Sequence, residues 1–238
     1  MTGPFDGQTA VVTGSSRGIG RSTAAELARG GARVFAAARS AEPLQELEAS
    51  LRAEGHDLTA VPCDVSVESE VESLFARADQ AGGTSMLVCA AGLLRKAPIE
   101  QMDLTVWRMV LDVNLTGTFL CCRRAFQSMK RLGGGRIVTI SSLSGVYGTD
   151  KFPGNAAYNA SKAGVVGLTE GVAVEGRPYG IAALCLSPGA VDTQMLREAN
   201  SDLRPGLQPK QVATLIARLL DSPMAFFSGA NIPLFSNL

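Results

Sequence analysis

Gln8-Thr9-Ala10-Val11-Val12-Thr13 is a short buried-strand pattern that ends directly in Gly14-Ser15-Ser16-Arg17-Gly18-Ile19-Gly20. The helical pattern Arg21 to Arg29 follows, Gly30-Gly31 stops it, and Ala32 to Ala38 reads as a second strand. A βαβ unit of about thirty residues puts a glycine-rich loop at the carboxyl end of a parallel strand. Glycines there let the backbone approach a pyrophosphate, and the first N–H groups of the helix supply donors and the positive end of its dipole. This setting points to a dinucleotide rather than to an ordinary glycine turn.

The pattern repeats along the chain. Glu42 to Glu54 is helical and Gly55 closes it; Leu58 to Pro62 is a strand, followed by Cys63-Asp64-Val65. Val67 to Ala81 is helical, Gly82-Gly83 stops it, and Met86 to Gly92 is a strand ending in a small-residue loop. Leu104 to Arg131 reads as two helices meeting near Asn114, and Arg136 to Ser141 as a strand after Gly133-Gly134-Gly135. Ala156 to Glu175 is helical, Ile181 to Leu186 a strand, Gln208 to Leu220 a helix and Ala230 to Leu234 a last strand. Strands alternating with helices predict a single α/β domain over residues 1–238. Its core is one doubly wound parallel sheet with helices on both faces, a Rossmann fold. The 238 residues, 46% hydrophobic with 26 Gly, suffice for a sizeable core and many tight turns.

In such a sheet the ligand lies beyond the carboxyl ends of the strands. Those ends are Gly14 to Gly20, Ala38-Arg39, Asp64-Val65, Ala90 to Gly92, Ser141-Ser142 and Pro188-Gly189. Close by in this arrangement comes Tyr158-Asn159-Ala160-Ser161-Lys162. Tyr158 and Lys162, four apart, share a helix face. An ammonium there lowers the cost of a phenolate and is expected to bring Tyr158 down from about 10 towards neutrality, where a general acid/base works best. The β-branched run Ile137 to Ile140 ends in Ser141-Ser142, hydroxyls suited to a substrate oxygen. Alone, a Tyr-x-x-x-Lys pair is usually a solvated helix face; the convergence of strand ends is what gives this one weight.

Other classes fit less well. Lys+Arg 22 balances Asp+Glu 22, so no charge surplus points to nucleic acid or an anionic membrane. No apolar run approaches the roughly 18 residues of a membrane span, and no charged leader precedes an apolar core, so a cytoplasmic location is expected. Cys63, Cys89, Cys121, Cys122 and Cys185 form no CxxC pair and read as buried, reduced thiols; no cluster has metal-ligand spacing. Gly14-Ser15-Ser16-Arg17-Gly18 also satisfies the G-x-S-x-G nucleophile pattern. That chemistry needs a histidine base, and the only histidine, His56, follows Gly55 at the opposite end of the sheet.

Taken together, these motifs resemble those of the short-chain dehydrogenase/reductases over essentially the whole chain. In general look they are closest to 3-oxoacyl-[acyl-carrier-protein] reductase-like ketoreductases. Thr13 to Gly20 resembles the family's Thr-Gly-x-x-x-Gly-x-Gly loop, Tyr158 and Lys162 its catalytic pair, Ser142 its serine and Asn114 the asparagine that holds a relay water. The resemblance implies cofactor contacts at Gly14, Ser16, Arg17, Gly18, Ile19 and Gly20, and at Asp64-Val65 beside the adenine. It implies further contacts at Ala91 and Gly92, at Tyr158 and Lys162, and at Pro188, Gly189, Val191 and Thr193 beside the nicotinamide. An NAD enzyme of this type wants a carboxylate after the second strand. Here Ala38 takes that place and Arg39 follows; Arg39 and Arg17 are suited to clamp a 2′-phosphate, which implies NADP(H).

The implied activity is hydride transfer between NADPH and a carbonyl or secondary alcohol, with a 3-oxoacyl (β-keto) thioester or related ketone as substrate. Alternatives are a sugar, polyol or steroid alcohol dehydrogenase, or a non-catalytic NADPH-binding regulator. Three departures stand out. Cys89-Ala90-Ala91-Gly92 replaces the usual Asn-Asn-Ala-Gly; the span from Ser142 to Tyr158 is long, which leaves Ser141 and Ser144 as rivals to Ser142; and Ile232-Pro233-Leu234-Phe235 stands where the family has Val-Asp-Gly-Gly. Tyr147 and Phe152 read as an apolar wall or as exposed loop aromatics, and a short lid is expected at about 194–206. Ala160, Gly164, Gly167 and Gly171 put small residues along the Tyr158 helix, a pattern of close packing on the sheet or on another subunit. The resemblance implies a homodimer through 114–131 and 156–175, while Pro233 in the last strand puts a homotetramer in doubt.

Overall fold

The computed structural model describes residues 3–199 and 203–235. Its strands are β1 (Thr9–Thr13), β2 (Arg33–Ala38), β3 (Leu58–Pro62), β4 (Met86–Cys89), β5 (Gly135–Ile140), β6 (Ile181–Pro188) and β7 (Asn231–Leu234). Its helices are α1 (Gly18–Arg29), α2 (Ala41–Ala53), α3 (Glu68–Gln80), α4 (Leu104–Leu111), α5 (Gly117–Leu132), α6 (Ala156–Gly176), α7 (Gln194–Ala199) and α8 (Pro209–Asp221). The strands pair in parallel in the order β3-β2-β1-β4-β5-β6-β7. The order reverses between β1 and β4, which opens a crevice outside their carboxyl ends.

Side-chain alternation feeds two cores. Ala10 and Val12 of β1 pack with Leu27, Leu51 and Ile216 from α1, α2 and α8. Val11 between them packs on the other face with Leu74, Phe75 and Met129 from α3 and α5. Burial on both faces is why the central strands read as unbroken apolar runs. β7 is an edge, and Pro233 sits opposite Ser187 of β6, on a strand with no neighbour beyond it. Among the described residues no helix is long and apolar enough to cross a membrane.

The two helices expected around Asn114 meet in a π-helical turn, Asp112–Thr116. Such a turn inserts an extra residue into the ladder and re-aims a side chain. Here it turns the Asn114 amide into the protein, fully buried.

The five cysteines are free and buried. Cys89, which replaces an amide, packs into the α5 layer, where the neighbouring thiols of Cys121 and Cys122 and burial push its own titration well up. A thiol tolerates that apolar layer; an amide there would need partners it does not offer.

Candidate active site

The glycine loop is held from below by its own small polar residues. Ser15, fully buried, donates its N–H to the Ala37 carbonyl at 3.0 Å and its hydroxyl to the Val12 carbonyl at 2.8 Å. Thr13 Oγ1 accepts the Ala91 N–H at 3.3 Å, which draws the loop after β4 against the loop after β1. Gly14 has φ +72°, and a Cβ on it would fall 2.6 Å from the Ala90 carbonyl oxygen. A Cβ on Gly20 would fall 2.3 Å from the Gly14 carbonyl oxygen. A side chain at Gly14 would force the two loops apart, and one at Gly20 would push α1 off the start of its own loop. Arg17 is the N-cap of α1 and no side chain caps that end, so the first N–H groups face the crevice unclaimed by a cap.

Gly14, Ser16, Arg17, Gly18, Ile19, Gly20, Arg39, Asp64, Val65, Ala91, Gly92, Ser142, Tyr158, Lys162, Pro188, Gly189, Val191 and Thr193 all line one cavity of about 1030 Å³. Asn114 lies beneath its floor. A second cavity, of about 760 Å³, lies at the other end of the sheet around Gly133, Arg136 and Asp221 and holds none of these residues.

Several members already have structural partners. Asp64 Oδ1 accepts from the Ser66 N–H and hydroxyl at 2.9 and 2.6 Å, and Val65 packs so closely on Gly117 that a Cβ there would lie 2.7 Å from its side chain. The Gly189 N–H donates to the Leu234 carbonyl at 2.9 Å. Thr193 Oγ1 accepts the Leu196 N–H at 3.2 Å, at the start of α7. That helix occupies the first part of the expected lid; residues 200–202 of the lid lie outside the described residues. Lys96 donates its ammonium to the Ala199 carbonyl at the end of α7, and Arg17 lies 3.8 Å from Glu198, both side chains half-exposed. Arg39 is exposed at the end of β2, with no ion pair among the described residues.

At the catalytic end the three serines divide. Ser141 is buried and donates to the Lys162 carbonyl at 2.7 Å, so it fastens β5 to α6. Ser142 accepts the Ser144 N–H at 3.1 Å, and its hydroxyl stands close enough to the Tyr158 phenol to favour the phenolate. The turn Leu143–Gly145 presses on α6: a Cβ on Gly145 would lie 2.5 Å from the Lys162 carbonyl carbon. That contact sets Ser142, rather than Ser141 or Ser144, beside Tyr158. Phe152 and Tyr147 border the same cavity, with Tyr147 fully exposed.

The electrostatics differ from the expectation drawn from spacing. Burial pushes the Tyr158 phenol above its ordinary value, and the Ser142 hydroxyl only partly opposes this. Lys162 Nζ lies 5.7 Å from the Tyr158 ring centroid and donates to the Ile140 carbonyl at 2.8 Å. Burial holds that ammonium down at about 8. Spacing along a helix reveals the pairing; the sign of the shift follows from depth, because desolvation penalises both charged forms.

Asn114 is clamped at both ends of its amide. Oδ1 accepts the Leu93 N–H at 2.6 Å, and Nδ2 donates to the Leu93 carbonyl and to Ser161 Oγ, each at 2.9 Å. Ser161 Oγ donates in turn to the Tyr158 carbonyl at 2.8 Å. Ser161, which motif reading passes over, thus links the loop after β4 to the Tyr158 helix; its place three residues after Tyr158, on one helix face, was the available signal. A Cβ on Gly92 would lie 3.6 Å from Lys162 Nζ and 3.7 Å from Asn114 Oδ1, so both groups flank the same point of the cavity floor.

Comparison with known proteins agrees with this architecture. A sequence model described as short chain dehydrogenase matches residues 8–204. A 3-oxoacyl-[acyl-carrier-protein] reductase of Synechocystis sp. is 36% identical over 230 residues, 92% of each chain. A cis-4-hydroxycyclohexanecarboxylate dehydrogenase of Sinomonas cyclohexanicum is 35% identical over 238 residues, 95% of this chain and 94% of its own. Among solved structures, a short-chain type dehydrogenase/reductase from Mycobacterium marinum superposes with a TM-score of 0.91 at 29% identity, covering 98% of this chain and 95% of that one. A buried Tyr–Lys pair beneath a glycine-looped crevice, on a sheet wound in this order and matched along its length, makes this chain an oxidoreductase of the short-chain dehydrogenase/reductase family.

Proposed function

We propose that this oxidoreductase uses NADPH to reduce the 3-oxo group of a β-ketoacyl thioester or a closely related ketone. The observation that carries the chemistry is the buried Tyr158–Ser142 contact at the floor of a cavity whose other end is the glycine loop. The residues present fit a dinucleotide. Gly14 lets the loop close on the backbone after β4 and Gly20 lets α1 start against the loop's own backbone, and no side chain caps the N-terminus of α1. The choice of NADP rests on Ala38 standing where an NAD enzyme carries a carboxylate, and on Arg39 beside it, which has no ion pair among the described residues. The substrate class rests on likeness to the Synechocystis reductase.

When bound, the nicotinamide supplies the hydride. Tyr158, kept protonated at neutral pH by its burial, gives its hydroxyl proton to the substrate oxygen, and the product is the alcohol. Ser142 orients that oxygen and then stabilises the phenolate through its own hydroxyl. Lys162 sets a positive charge beside the developing phenolate. Asn114 Oδ1 keeps a second lone pair, and with Lys162 Nζ it borders the Gly92 point, where a water would return the proton from solvent. The assembly proposed with this activity is a homodimer packed through 114–131 and 156–175, that is, the π-helical turn with α5, and α6.

NADPH consumption measured with an acetoacetyl thioester, diketones, keto sugars and keto steroids, and NADP+ reduction measured with cyclic secondary alcohols, test the reading. Turnover greatest with the thioester is expected. A preference for a cyclic alcohol would align the chain with its Sinomonas relative instead. No turnover with any member, despite NADPH binding, would mark a non-catalytic binding protein.

A further inference from the structure

Phe235 stands one residue beyond β7, at the end of the departure Ile232-Pro233-Leu234-Phe235. The Gly189 N–H donates to the Leu234 carbonyl at 2.9 Å, which pins the chain just before Phe235 to the turn after β6. Ile232 and Leu234 pack against the core shared with α1 and α8. Phe235 is left out of that core: it is 57% exposed and lines the cavity that holds Tyr158. A ring fixed by its backbone with half its surface in water is apolar area that a bound molecule can cover.

Its surroundings say what that molecule is. Arg39 and Asp64 follow β2 and β3 at one end of the cavity, and Phe235 follows β7 at the other. The β7 end is also lined by Val146 and Phe152, from the connection between β5 and α6, and by Met195, Leu196 and Leu203, from the segment after β6. Phe152, like Phe235, keeps its ring partly in water, at 40% exposure. The polar side chains among them are engaged with the protein itself. Thr149 donates its hydroxyl to the Leu143 carbonyl at 2.5 Å, Lys96 its ammonium to the Ala199 carbonyl, and Gln194 its amide to the Glu198 carboxylate at 2.6 Å. A sugar or polyol needs free donors and acceptors on the walls that hold it, whereas a hydrocarbon chain needs only apolar surface. Resting on the reading of a β-ketoacyl substrate, we propose that Phe235 and Phe152 clasp the acyl chain beyond the reacting carbonyl, so that the substrate is a 3-oxoacyl thioester of medium chain length rather than an acetoacetyl one. Phe235 is then the residue that reads chain length.

The test measures kcat/KM with the N-acetylcysteamine thioesters of 3-oxobutanoate and 3-oxooctanoate, on the wild type, Phe235→Ala, Phe152→Ala and Phe226→Ala. Phe226 is the control: it is 85% exposed and does not line the cavity. Thermal unfolding and NADPH binding by fluorescence are measured on each protein. Each methylene buried is worth about fourfold, so the wild type is expected to favour the longer thioester by about 10- to 100-fold. Phe235→Ala is expected to lose about 10-fold on the longer thioester and to stay within about twofold on the shorter. Phe152→Ala, on a separate element, should reduce the same preference, and it carries the test if Phe235→Ala does not fold. Phe226→Ala should leave both rates unchanged. A wild type that reduces the two thioesters equally well overturns the chain pocket and leaves the β-ketoacyl reading standing. A preference that survives Phe235→Ala intact, or a loss that is equal on both thioesters, removes Phe235 as the residue that reads the chain. A wild type that binds NADPH and reduces a keto sugar but neither thioester overturns the chain pocket and the β-ketoacyl reading together.

Discussion

The ammonium of Lys162 donates to the carbonyl oxygen of Ile140 at 2.8 Å, which ties the helix carrying Tyr158 to the end of β5. One hydrogen bond holds a charge that is otherwise almost wholly out of water. The lysine is thus a cost to the fold, which the proposed chemistry would account for.

That cost has a pH signature. Lys162 is held at about 8 in the folded chain, against an ordinary value of 10.5. Below about 8 it is charged in both the folded and the unfolded chain, and its burial destabilises in full. Between about 8 and 10.5 the folded chain gives up the proton while the unfolded chain keeps it, so stability rises with pH across that window. Lys162→Met is expected to be more stable than wild type at pH 7, by at most about 3 kcal/mol, less about 1 for the lost hydrogen bond. That advantage should shrink towards pH 10.5. Urea unfolding of both proteins at several pH values checks it; a gap that stays constant would mean that the ammonium is not desolvated.

Tyr158→Phe removes the one buried hydroxyl placed to give a proton while leaving the ring in its packing. A loss of at least about 100-fold in kcat is expected, the usual share of a general acid. NADPH binding should survive, because the glycine loop and Arg39 are untouched. Steady-state rates and a fluorescence titration measure the two separately, and near wild-type turnover would remove Tyr158 from the mechanism.

The proposed choice of cofactor turns on Arg39. It is exposed, lines the cavity at the end of β2 and has no competing carboxylate partner among the described residues. Arg17, by contrast, lies 3.8 Å from Glu198. Arg39→Asp is expected to reverse a preference for NADPH over NADH, since a carboxylate repels a 2′-phosphate and accepts from ribose hydroxyls. Titration of both cofactors into both proteins decides it. Equal wild-type affinities would mean that Arg39 points to solvent.

The central strands were legible because they are buried on both faces and read as apolar runs, and the crevice followed from their winding order. What stayed hidden depends on neighbours distant in sequence. Ser141 and Ser142 are chemically alike, and only the bond from Ser141 to the Lys162 carbonyl sets Ser141 apart as a fastener. The direction of the Tyr158 shift needs its burial, which spacing does not report. Cys89 in place of an amide makes sense only once Cys121 and Cys122 are seen beside it.

The last expectation concerns assembly. Of the small residues along α6, Gly164 packs inward, where a Cβ would lie 2.7 Å from the Leu115 side chain. Gly167 and Gly171 are exposed, and a Cβ on either would meet nothing within 4 Å. Helix–sheet packing therefore does not account for these two, although glycine in a helix costs about 1 kcal/mol relative to alanine. Val174 extends the same flat face at 67% exposure, and Phe119 and Met109 on α5 and α4 are exposed at 44% and 47%. A second copy of the chain seated there would cover this face by two-fold symmetry. Sedimentation at micromolar concentration is expected to give about 50 kDa, twice the 24.8 kDa chain. Gly171→Arg, which gains helix propensity and meets no clash within one subunit, should bring it down to the mass of one chain. A wild type that already sediments as a single chain would leave Gly167 and Gly171 unexplained and remove the dimer. A species of four chains would mean that β7, despite Pro233, joins a second interface.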